Sequence, residues 1–187
     1  GDDVTFMFAL CSGALDYESQ PSFDLTLEVT DPGGLTARST VTVEIDNRNE
    51  QPRVYDSVHE IHENANIGSF VGNPVFATDA DAEDALRYYI TGGDGADLFS
   101  INNVTGQLYV NAKGSISLDY ETKSQYTVEV TATDSGRLAN GISGTPLSHS
   151  RTVIIQVIDI NEHPIIEKNV VMVIEENLDA GQVVGVV

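Results

Sequence analysis

The feature that most constrains this chain is that it repeats itself. Leu15-Asp16-Tyr17-Glu18 returns as Leu118-Asp119-Tyr120-Glu121, 103 positions on, and Thr30-Asp31-Pro32-Gly33 returns as Thr133-Asp134-Ser135-Gly136 at the same offset. Asn49-Glu50-Gln51-Pro52 returns as Asn161-Glu162-His163-Pro164 at an offset of 112, and His62-Glu63-Asn64 as Glu175-Glu176-Asn177 at 113. A fixed long period means one folded unit used more than once. The offset grows by nine between Gly136 and Asn161, so the second copy carries a longer loop, within 137–150, ahead of its last strand. That loop is polar and Gly-rich, and reads as slack in preference to a partner contact. One complete unit spans 53–164. Residues 1–52 read as the second half of a preceding unit, and 165–187 as the opening of a third.

The unit reads all-β. Phe23, Leu25, Leu27 and Val29 alternate with Asp24, Thr26, Glu28 and Thr30. Tyr126, Val128, Val130 and Ala132 alternate with Thr127, Glu129 and Thr131. Period two with one apolar face is the mark of a half-buried strand. Val41, Val43, Ile45 and Val153, Ile155, Val157 give the matching last strands. Shorter strands are expected at 74–78, 86–91, 98–101 and 107–110, separated by the turn signals Gly92-Gly93-Asp94-Gly95, Asn103-Val104-Thr105-Gly106 and Lys113-Gly114. Seven short strands per unit and no helical period predict tandem seven-stranded Greek-key, immunoglobulin-like sandwiches.

Charge narrows the function. Lys and Arg together number 9 against 29 Asp and Glu, a net charge of −20. Nucleic acid and anionic lipid are poor partners for such a chain, by repulsion. Hydrophobic residues make up 41% of the chain, enough for a packed core. Cys11 is the sole cysteine, so no internal disulfide forms, and its apolar neighbours mark it as a buried, inert thiol. No stretch has the length of a membrane span, and the sequence reads as a piece of a longer protein.

The acidic residues gather at strand ends. Asp79 and Asp81 close one expected strand and Asp134 another; Glu63 ends the first strand of the complete unit; Asp119 and Glu121 flank Tyr120. In a Greek-key sandwich Asp79, Asp81 and Asp134 converge on one end. Glu63, Asp119, Glu121 and the linker Asp159-Ile160-Asn161-Glu162 converge on the other. Two carboxylates about 4 Å apart repel by about 4 kcal/mol at an effective dielectric near 20. A bound divalent cation reverses the sign. Calcium wants six to eight oxygens from carboxylates, amides and carbonyls, the donors gathered here. Pro164 makes the linker leave its strand stiffly, so the stretch reads as a metal-clamped joint.

These motifs resemble those of the cadherin repeat: Glu63-Asn64, Asp79-Ala80-Asp81, Leu118-Asp119-Tyr120-Glu121, Asp134-Ser135-Gly136, and Asp159-Ile160-Asn161-Glu162 with Pro164. The resemblance covers essentially the whole chain and implies three calcium ions at each joint between repeats. It assigns Glu63, Asp119, Glu121, Asp159, Asn161 and Glu162 to the second joint. It assigns Asp16, Glu18, Asn49, Glu50, Asp79, Asp81 and Asp134 to the first. Asn47 stands where the second linker has Asp159, which predicts a weaker or empty site there. The implied function is an extracellular, calcium-rigidified segment of a membrane protein supporting cell adhesion. Its implied partners are neighbouring repeats and another copy or a related cadherin, and the alternative is a repeat of a secreted fibre or surface appendage.

Asn103-Val104-Thr105 is an N-glycosylation sequon in an expected hairpin turn, which marks Asn103 as a candidate glycosylated residue. His59 and His62 lack the spacing of a zinc helix motif. Paired carboxylates also serve glycosidases, but nothing here builds a cleft, so no enzyme is expected. The chain has no Trp, which the family's strand-exchange adhesion relies on.

Overall fold

Two hairpins carry the repeat into three dimensions. In the computed structural model, β1 (Ser22–Thr30) pairs antiparallel with β2 (Thr36–Glu44), matching Phe23 with Val43 and Leu25 with Val41. At the sequence offsets, β10 (Gln125–Thr133) pairs with β11 (Ser148–Ile158), matching Tyr126 with Ile155 and Val128 with Val153. The register is the same pair for pair, so the nine extra residues sit wholly in the connecting loop. The structure describes residues 9, 13–81, 84–116, 118–138, 141–164, 171, 173, 176 and 179–181. Cys11, Glu83, Glu175, Asn177 and most of the expected third unit lie outside the described residues.

Around β10 and β11 the complete unit closes into a sandwich. One sheet runs β4 (Val58–His62), β11, β10, β7 (Arg87–Gly92), with β4 parallel to β11. The other side holds β5 (Phe70–Val71), β9 (Leu108–Val110) and β8 (Phe99–Ile101) in that order, and the pair β3 (Arg53–Val54) with β6 (Ala77–Thr78). A single 3-10 turn at Gly114–Ile116 is the only helical element among the described residues. The seven expected strands are present, the first and second each in two pieces. The first pairs with β6 in one sheet, then crosses to pair with β11 in the other. The second is broken between β5 and β6, where Gly72 has a positive φ of 54° and Pro74 has no N–H to give a ladder. A Cβ at Gly72 would press on His59 Nδ1 at 2.8 Å.

The core is the meeting of the two inner faces: Val128, Val130, Ala132, Val153 and Ile155 from one sheet, Val71, Leu108, Val110 and Phe99 from the other. Phe99 meets Tyr126 edge-on across the gap, ring centroids 6.1 Å apart. The same positions in the first hairpin fare differently. Val128 is 0% exposed while its counterpart Leu25 is 37% exposed, because no second sheet covers β1–β2 among the described residues. Full burial of such a side chain stabilises by about 1.5–3 kcal/mol.

Candidate metal centre

The first joint is built where the linker after β2 meets the end of the complete unit. Asn47 is 4% exposed, and its Nδ2 donates to Asp81 Oδ1 at 3.4 Å. The Glu50 N–H donates to Asp81 Oδ2 at 3.1 Å, and the Asp81 N–H to Asp79 Oδ1 at 3.0 Å. Asn49 Nδ2 donates to Asp134 Oδ2 at 3.2 Å and to the Thr145 carbonyl at 3.1 Å. Carboxylate oxygens of Glu18, Glu50 and Asp81 lie within 4.8 Å of one another. Asp16 is turned to its own loop, accepting from Ser19 N–H and Ser19 Oγ at 3.2 and 2.7 Å.

This end is short of positive charge. Burial first, then the charges of Glu18, Asp81 and Asp16, push the Glu50 carboxyl up to about 7. Asp79 is likewise raised, by burial and by the nearby Asp134, Asp81 and Asp84. Four buried side-chain oxygens have no hydrogen-bond donor among the described residues: Asn47 Oδ1, Asn49 Oδ1, Glu50 Oε2 and Asp79 Oδ2. Buried oxygens are normally satisfied, and each one left bare costs about 1–3 kcal/mol. Bare amide and carboxylate oxygens, with three carboxylates of this end converging within 4.8 Å, are the oxygen donors that a hard divalent cation takes. The residues present therefore fit calcium.

At the opposite end Glu63, Asp119 and Glu121 bring carboxylate oxygens within 4.8 Å of one another. Glu63 is 1% exposed and held by two backbone donors, Tyr120 N–H on Oε2 at 2.9 Å and Ile160 N–H on Oε1 at 2.7 Å. Asp119 repeats the Asp16 pattern, accepting from Thr122 N–H and Thr122 Oγ1. The backbone N–H of Glu121 holds its carboxyl down. Burial and the charges of Glu63, Asp159 and Glu162 outweigh this and raise it. Glu162 reaches this end through Asn64 and the residue after Asp159 through its N–H on Glu63, while Asn161 is exposed on the linker.

Two residues absent from the expected site belong to its geometry. Asn47, read from sequence as a missing charge, supplies a buried oxygen. Asn64 is the only described non-Gly residue at positive φ, 55°, and its Nδ2 donates to Glu162 Oε1 at 2.7 Å. Asn tolerates that conformation better than other side chains, which explains the Glu-Asn pair. Asp84 serves the structure: it accepts from the N–H groups of Ser135 and Arg137 and from Ser135 Oγ.

The long loop after β10 is not slack. Asp134 N–H donates to the Leu147 carbonyl and Leu147 N–H to Asp134 Oδ1, as Asp31 N–H does to Leu35 and Leu35 N–H to Asp31 Oδ1. The base is closed identically, and the insertion folds above it through a bridge between Arg137 and Ser143. It then touches the linker. Gly144 stands against Asn49, Thr145 accepts from Asn49, and Gln51 Nε2 donates to the Ser148 carbonyl.

A family model described as a cadherin domain matches residues 57–158. The chain belongs to the cadherin family. It is similar to Protocadherin Fat 4 of Homo sapiens, 36% identical over 159 residues covering 81% of this chain and 3% of that protein. It is also similar to Protein dachsous of Drosophila melanogaster, 32% identical over 171 residues, 87% and 4%. Repeats 1–2 of human protocadherin-24 superpose with a TM-score of 0.61 at 26% identity, covering 79% of this chain and 70% of that one. The protocadherin gammaB7 EC3-6 cis-dimer structure shares the fold, with a TM-score of 0.61 at 22% identity over 84% and 38%. This cadherin segment thus spans only a few per cent of its long relatives. Cadherin domains are extracellular adhesion modules and not enzymes. Among the described residues no helix is long and apolar enough to cross a membrane.

Proposed function

We propose that this segment is a calcium-stiffened joint of a cadherin ectodomain, serving cell adhesion through another copy of its own protein or a related cadherin. The observation that carries the reading is the set of four buried, donor-less oxygens at the first joint. Calcium bound there neutralises the mutual repulsion of the carboxylates. The chain's own residues do the rest. Glu18 comes from the preceding half-unit, Asn47, Asn49 and Glu50 from the linker, and Asp79, Asp81 and Asp134 from the complete unit, so ions held by these residues would tie three parts of the chain together. At the second joint Glu63, Asp119, Glu121, Asp159, Asn161 and Glu162 form the near side of an equivalent clamp. Extracellular calcium sites of this type hold their ion at about 10⁻⁴–10⁻³ M.

The test is small-angle scattering on a longer stretch of the protein containing both flanking repeats, in millimolar calcium and in chelator. An extended rod that becomes a flexible chain on chelation is the expected result. The same profile in both would overturn the reading. Growth of the particle with concentration only in calcium is the expected sign of adhesion.

A further inference from the structure

The sequon at Asn103 lies at a distinctive place in the sandwich. Asn103 and Val104 form the exposed tip of the turn between β8 and β9. Asn102, not Asn103, holds that turn: its Oδ1 accepts from the N–H groups of Val104 and Thr105 at 3.0 and 3.1 Å. Asn103 contributes its backbone carbonyl, which accepts from Tyr88 N–H at 3.0 Å. Its main chain is therefore pinned to β7 while its exposed side-chain amide is left to solvent. Asn103-Val104-Thr105 is the only Asn-x-Ser/Thr in the 187 residues.

That pinned carbonyl sits where two open sheet edges meet. β7 pairs only with β10, and β8 only with β9, so both are edge strands of their sheets. Between them runs an open groove whose lining includes Tyr88, Tyr89, Ile101, Tyr109, Asn102 and Asn103 itself. Tyr89 is 46% exposed. Open edges beside exposed aromatic surface invite pairing with other chains, and proteins cover or blunt them. No charged side chain lines this groove.

We propose that Asn103 carries an N-linked glycan that lies over the β7–β8 groove and closes this side of the repeat to protein partners. Cadherin domains are extracellular, which brings them past the enzymes that use lipid-pyrophosphate-linked oligosaccharide donors. In the transfer the Asn103 amide nitrogen bonds to the anomeric carbon of the first sugar. The bond from that carbon to the pyrophosphate oxygen breaks, the lipid pyrophosphate leaves, and the amide gives up one proton. The sugar's apolar face suits a tyrosine ring, and its hydroxyls suit unpaired edge amides.

The chain secreted from animal cells provides the test. Peptide mapping is expected to find a glycan at Asn103. Asn103→Gln and Thr105→Ala should each lose it, and Thr105→Ser should keep it. Secreted protein with Asn103 unmodified would overturn the proposal, while leaving its calcium response intact. Hydrogen exchange tests the coverage: outward-facing amides of β7 and β8 should exchange several-fold faster after enzymatic removal of the glycan, with β11 unchanged. Equal exchange before and after would show the glycan pointing away and would overturn the closure of this face.

Discussion

Exchanging an aspartate for an asparagine keeps one oxygen and trades a charge for a donor, and Asn47 uses both. Its Nδ2 quiets Asp81 while its Oδ1 faces a site with no donor. In chelator, Asn47→Asp should therefore destabilise the joint by about 1–3 kcal/mol, since a donor becomes a like charge. In saturating calcium the sign should reverse, and thermal unfolding in the two conditions measures both. Asp81→Asn should weaken calcium binding by roughly tenfold or more, about 1.4 kcal/mol per factor of ten, read by calorimetry. Glu50 gives a pH dependence. Its carboxyl is raised from 4.5 to about 7 in the folded state, so the folded chain holds a proton that the unfolded chain has lost. Calcium-free stability should fall as pH rises through that window and level off above it. Glu50→Gln should flatten the slope; an equal slope in both proteins would place its origin elsewhere. Most of these residues were legible in the sequence because they recur at fixed offsets. Asn47 and Asn64 were legible as positions, at the offsets of 112 and 113, but not in what they do: burial decides the first and a left-handed backbone the second, and neither shows in spacing.

At the level of elements, hairpin pairing was legible because both faces alternate and the two copies share a register. The crossing of the first strand between sheets was not, since Arg53–Val54 and Val58–His62 read as one run. Nor was the docking of the long loop on the linker, because polar and Gly-rich composition says only that a segment need not be buried. Cutting nine residues from 137–146, to match the turn between Asp31 and Leu35, tests that contact. The unit should still fold, because the base of the loop is already closed the same way. The joint should lose the Asn49–Thr145 bond, worth about 0.5–1.5 kcal/mol, and gain motion in chelator. Nuclear spin relaxation of the linker amides would show it. Gly93 is a harder constraint. Its φ is 96° and a Cβ would collide with the Thr127 carbonyl. Gly93→Ala should cost at least about 2 kcal/mol in strain and overpacking, measured by denaturant unfolding.

In the whole molecule the chain enters the complete unit at Arg53 and leaves it through Pro164, at opposite ends of the sandwich. β4 and β11 lie side by side and run the same way, paired from Val58 with Ile154 to His62 with Ile158. Tension applied along the chain pulls β4 back at its start and β11 forward at its finish. The strands are therefore loaded in shear, and the five paired positions must slip together instead of unzipping one at a time. Tension carried by this segment would run through the ladder and then into the linkers, so its mechanical resistance passes from the paired strands to the carboxylate clusters where the ladder ends.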